Sequence, residues 1–188
     1  WSFSWPQFFG FSGLYIINYI DLFVIRKFLT ISDVGIYNVA YNGFMIISGV
    51  ILIINTLFMP LIIEYRTKKK YHLIESYMKK IPLYSIVWLI LIFFGLFLSK
   101  YVIVFFFSEK YLLSIPSFNI LIITSFFYFI SICYLPIINA YDLIIHIQLI
   151  NLIKSIVNII ADFILVPKIG IIGAAYGTMI SYAVGLLL

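Results

Sequence analysis

The chain reads as an all-α membrane protein of six transmembrane helices. Three observations predict this. Hydrophobic residues make up 64% of the 188 positions and charged residues only 10%, against roughly 45–50% and about 25% in soluble domains. Mean hydropathy is +1.16. The apolar residues fall into six stretches long enough to span a bilayer, which takes about 20 residues each.

The first stretch is 8–28 and the second about 36–63, with a bend expected at Pro60. The third is 81–107, the fourth about 117–140, the fifth 143–166 and the sixth runs from Ile171 to the last residue. Ser32 and Asp33 offer side-chain acceptors for the free N–H groups at the start of the second. The connections are short, none large enough for a soluble domain, and the charged 64–80 segment reads as the longest loop. Starting at Trp1 and ending in an apolar run, positions 1–188 read as one polytopic domain taken from a longer protein, without a signal peptide.

The 64–80 segment carries Arg66, Lys68, Lys69, Lys70, Lys79 and Lys80, half of the twelve cations. By the positive-inside rule it is expected in the cytoplasm, as a topology signal and a contact for lipid headgroups. Arg26, Lys27, Lys100, Lys110 and Lys168 at the opposite ends are spread over three connections and oppose this only weakly. The net charge of +5 is therefore no nucleic-acid footprint. The single cysteine, Cys133, lies in an apolar run and offers neither a disulfide nor a thiolate metal site. There is no phosphate loop, no His–carboxylate metal spacing and no nucleophile beside a base, so an enzyme is not expected.

The fifth stretch carries the chemistry. At about 100° per residue Gln148, Asn151, Lys154, Ser155, Asn158 and Asp162 share one face. Sixteen Leu, Ile, Val or Phe residues there favour insertion by roughly 7 kcal/mol in total. Lys154 and Asp162 together oppose it by about 5–7 kcal/mol. The stripe must face protein or water rather than lipid. Gln7, Tyr15, Asn18 and Asp21 cluster similarly on the first stretch, and Asn38, Tyr41, Asn42, Gly49 and Thr56 on the second. Three such faces predict a shared hydrophilic cavity and, with it, transport. The candidate cavity residues are Asn18, Asp21, Asn38, Tyr41, Asn42, Gln148, Asn151, Lys154, Asn158 and Asp162. Asp21 lies at a depth between Lys154 and Asp162. It is expected either to pair with Lys154 or to bind H⁺ or Na⁺ for coupling; no other cofactor is expected. Gly173, Ala174, Ala175 and Gly177 allow close helix packing.

Three motifs in order carry a resemblance. They are Ile20 to Ile25 followed by Val34 to Tyr41, then Phe107-Ser108-Glu109-Lys110-Tyr111, then Asn158 to Asp162 followed by Leu165 to Ala175. Together they resemble helices seven to twelve of the polysaccharide (O-antigen type) flippases of the multidrug/oligosaccharidyl-lipid/polysaccharide superfamily. Asp162 stands where that family often has an amide. The resemblance implies the second lobe of a two-lobe, alternating-access exporter in the bacterial inner membrane. The implied substrate is a polyprenyl-pyrophosphate-linked oligosaccharide, with polysaccharide assembly proteins as further partners. Lys154 would suit the anionic pyrophosphate, and the asparagines and Tyr41 the sugar. The alternatives are a cation-coupled multidrug or peptidoglycan-precursor exporter, and a membrane-embedded polysaccharide polymerase.

Overall fold

A computed structural model describes residues 19–188. It is all-helical. Helix α1 is described over 19–28; α2 is Ile31–Thr67, α3 Tyr71–Phe107, α4 Ile115–Ala140, α5 Ile144–Ile169 and α6 Ile171–Leu187, with a 3₁₀ segment, Glu109–Ser114, leading into α4. Four of the helices are long and apolar enough to cross a membrane.

The second to fifth expected spans are recovered, most of the first lies outside the described residues, the sixth is the 17-residue α6, and the largest departure is at 64–80. The turn there is only Lys68–Lys70, because α2 continues to Thr67 and α3 begins at Tyr71. The basic residues are good helix formers and are paired along the helices, Lys68 to Glu64 and Lys79 to Glu75 at i,i+4. High charge excludes lipid, not helix. At the other end of α2 the cap is Thr30, not Ser32 or Asp33. Its side chain accepts from the Asp33 N–H while Asp33 accepts from the Thr30 N–H, a reciprocal capping box.

Pro60 and Pro82 lie within α2 and α3 without ending them. Pro167 likewise does not end α5, which runs on to Ile169. The break comes at Gly170, at φ 67° and ψ −148°, a conformation open essentially to glycine alone. There the chain reverses, and α6 returns antiparallel along α5.

Helix α4 is the centre of the bundle and packs against α2, α3 and α6. Its many buried side chains, from Ser117 to Ala140, are what a helix apolar on most sides should show. One core cluster joins Ile25, Tyr37, Phe44, Phe118, Leu121, Val166 and Tyr182. A second, nearer the Lys68–Lys70 turn, joins Ile51, Ile62, Tyr77, Ile81 and Cys133; there the Tyr77 hydroxyl donates to the Cys133 carbonyl at 2.8 Å. Leu83, Ile86, Phe93, Phe97 and Phe105 of α3 point outward and form an apolar face suited to lipid. The helix pair α5–α6 packs tightly on itself and reaches the bundle through α6 against α4.

Candidate functional site

The two buried carboxylates converge where α1, α2, α5 and α6 meet. Asp21 of α1 is 1% exposed and Asp162 of α5 0% exposed. Oδ2 of Asp21 accepts from the Tyr37 hydroxyl of α2 and from Oγ1 of Thr178 of α6 at 2.8 Å. Thr178 Oγ1 also lies 3.2 Å from the Ala174 carbonyl, one turn back on α6. Asp162 and Asn158 of α5 lie near the Asp21 carboxylate, close enough to interact with it electrostatically.

Most of the remaining polar atoms of this cluster have no partner. Asp21 Oδ1, both carboxylate oxygens of Asp162 and both amide atoms of Asn158 are buried without a hydrogen bond. Leaving such atoms unpaired in a dry interior costs about 1–3 kcal/mol each, and more for charged groups. Two carboxylates this close cannot both stay ionised there unless a cation joins them. The arrangement therefore suits a shared proton or a small hard cation, for which carboxylate, amide, hydroxyl and carbonyl oxygens are the fitting donors.

The space for Asp162 comes from Gly177 of α6: a Cβ at that position would overlap Asp162 Oδ1. Two turns along α5, the stem of Lys154 fills the corresponding space beside Gly185. Lys154 is buried, and its Nζ lies 3.9 Å from the centre of the Tyr182 ring. The expected Lys154–Asp21 ion pair is not made. Among the described residues the ion pairs are Arg66–Asp142, Lys68–Glu64 and Lys79–Glu75, all at the bundle's basic end. Tyr182 in turn packs edge-on against Phe44 and Tyr128, with ring centres 6.0 and 5.5 Å away.

The ten residues singled out in the sequence thus separate. Asp21, Tyr41, Lys154, Asn158 and Asp162 are buried among the described helices. Tyr41 stacks on Tyr37 at 6.2 Å. Asn38, Gln148 and Asn151 are half-buried and Asn42 is exposed; Asn18 lies outside the described residues. Tyr37, Thr178, Tyr182 and Gly185 escaped the sequence reading, which took Gly177 as a packing residue only. The one available signal was that Ala174 and Thr178 are four residues apart and share a face of the last helix.

Comparison with known proteins agrees with this architecture. The family model described as "Polysaccharide biosynthesis protein" matches residues 1–66. Among curated proteins no match is found. A transporter of the MOP superfamily from Pyrococcus furiosus is similar in structure, with a TM-score of 0.79 and 17% identity over 98% of this chain. A multidrug resistance transporter of the MATE family, in its outward-facing conformation, is equally similar, with a TM-score of 0.79 and 17% identity. In both cases this chain spans 42% of the other protein's length. The fold is therefore the one these two transporters show over 42% of their length.

Proposed function

We propose that this chain is one lobe of a cation-coupled, alternating-access exporter that moves lipid-linked oligosaccharide across the bacterial plasma membrane. The observation that carries the coupling is the buried Asp21–Asp162 pair with its unpartnered oxygens. A bundle that merely needed packing would gain nothing from two anions in its interior, since intramembrane carboxylates cost stability unless they are used. Proton or Na⁺ arrival would join α1 and α5 across the pair, with Thr178 and Tyr37 holding Asp21 in place. Departure would leave the two carboxylates to repel each other. That difference in free energy is what an alternating cycle requires of its coupling ion.

The oligosaccharide reading is supported by the match of residues 1–66 to polysaccharide biosynthesis proteins. Asn42 and the half-buried Asn38, Gln148 and Asn151 would meet the sugar, and the carrier's pyrophosphate would be the anionic part. Polysaccharide assembly proteins are the partners this reading implies, and the basic end would face the cytoplasm. A second reading, multidrug export, is favoured by the likeness to the multidrug resistance transporter.

The test is a strain deleted for the full-length gene. Loss of surface polysaccharide with unflipped lipid-linked repeat units accumulating at the inner leaflet is expected, restored by the native gene and not by Asp162→Asn. Dye or drug accumulation with normal polysaccharide would replace the oligosaccharide reading with the multidrug one. Full restoration by Asp162→Asn would remove the coupling role.

A further inference from the structure

Charge in this chain is almost wholly at the ends of the helices. Of the seven acidic residues, Asp33 closes the capping box with Thr30, and Glu64, Glu75 and Asp142 pair with Lys68, Lys79 and Arg66. Glu109 is exposed in the 3₁₀ segment. Only Asp21 and Asp162 are buried, and among the twelve cations only Lys154 is. The interior therefore holds two anions and one cation, and no other charged side chain of the sequence is placed to serve them.

These three do not touch, yet they lie along one track. Lys154, Asn158 and Asp162 follow one another at i, i+4 and i+8 on α5. Opposite them on α6 stand Gly185, Tyr182, then Thr178 with Gly177, in the reverse order expected of an antiparallel neighbour. The Lys154 stem lies in the notch at Gly185 and its Nζ advances to the Tyr182 ring. That is toward Thr178, the residue that holds Asp21. Tyr182 stands one turn of α6 from Thr178, whose hydroxyl donates to Asp21. Asn158, fully buried and with both amide atoms unpartnered, fills the step between.

We propose that Lys154 is the built-in counter-cation of the Asp21–Asp162 pair. When the pair holds no external cation, the ammonium moves along α6 from Tyr182 to the carboxylates. When an external cation arrives, the ammonium returns to the ring. A desolvated ring face attracts an ammonium enough to serve as a resting place, and more weakly than a carboxylate does. The long, flexible stem of lysine makes such a move possible without a helix shifting. The Gly185 notch and the Tyr182 ring are then positioning elements: they hold the ammonium away from the pair. This inference rests on the cation reading above and adds that the lobe carries its own competitor for the site.

The test uses the purified full-length protein and Na⁺ as probe, by isothermal titration calorimetry. Lys154→Gln removes the competitor and is expected to tighten Na⁺ binding about tenfold. Tyr182→Leu removes the resting place, frees the ammonium and is expected to weaken binding by a similar factor. Gly185→Ala, whose new Cβ would meet the Lys154 stem, is a second route to the same weakening. Tyr182→Leu combined with Lys154→Gln should bind as Lys154→Gln does, which also shows that the ring substitution leaves the fold intact. If the wild type takes up protons in place of Na⁺, the same panel is read from the pH midpoint of the carboxylic-acid infrared band. That midpoint should rise in Lys154→Gln and fall in Tyr182→Leu. The groups facing the pair are Tyr37, Thr178 and Asn158, with Tyr41 and Tyr182 beyond them. Binding that depends on Asp162 but ignores Lys154, or that Tyr182→Leu and Gly185→Ala leave unchanged, overturns the inference alone. A wild type that binds neither Na⁺ nor protons at Asp162 overturns the cation reading and this inference with it.

Discussion

Asp162 of α5 sets its carboxylate into the space that Gly177 of α6 leaves by having no side chain. The contact places an anion against a helix backbone and turns it toward Asp21, from which no ammonium separates it. It also makes the smallest residue of the sequence a structural requirement of its most costly one. Gly177→Ala should therefore push the carboxylate out of line. The expected result is a loss of about 1–3 kcal/mol in stability from overpacking, with transport reduced more than tenfold while the protein still reaches the membrane. Thermal unfolding in detergent and complementation of the deletion strain measure the two effects separately.

Asp21 is held by donors from two other helices, Tyr37 and Thr178. Hydrogen bonds to a charged acceptor contribute about 1.5–3 kcal/mol each. Tyr37→Phe and Thr178→Val should each lower the unfolding free energy by that order and weaken cation binding. The double substitution should cost less than the sum, because both serve one oxygen. Chemical unfolding of the three variants checks this.

The α5–α6 reversal depends on the backbone of Gly170, at φ 67° and ψ −148°. A β-carbon there costs about 1–3 kcal/mol. Gly170→Ala should lower the melting temperature and loosen the Asp162–Gly177 contact, so that cation affinity falls with stability. An unchanged melting temperature would show that the turn adopts another conformation at no cost.

At the basic end Arg66 bridges two elements. Its guanidinium meets Asp142 at 3.0 Å and lies 4.7 Å from the Tyr141 ring centre, joining α2 to the α4–α5 turn. The Asp142 side chain is 83% exposed, so the ion pair should contribute no more than about 1 kcal/mol and weaken with salt. A double-mutant cycle between Arg66 and Asp142 at low and high ionic strength should give a small coupling that shrinks as salt rises. A large, salt-independent coupling would contradict this assignment.

Much of the architecture was legible along the chain because lipid imposes a simple rule: a spanning segment needs about 20 apolar residues. The stretches ending at Phe28, Phe107 and Ala140 end there in the structure. The 64–80 segment misled because charge marks where lipid stops, whereas helices continue as long as their backbone bonds can form. Pro167 misled in a related way. A proline signals a break, but the helix tolerates it for a few more residues and the turn waits for Gly170.

The stripe of Gln148, Asn151, Lys154, Asn158 and Asp162 could be read from helical periodicity alone, as could its avoidance of lipid. Periodicity gives a face but says nothing about which helix lies against it or at what register. Only the tertiary structure decides that Asp21 meets Thr178, 157 positions away, that Tyr37 joins them, and that Lys154 rests on Tyr182 instead of pairing with Asp21. Gly177 and Gly185 show the reason most plainly. A glycine in a sequence is an absence of side chain, and its meaning appears only when the residue that occupies the vacated space is known.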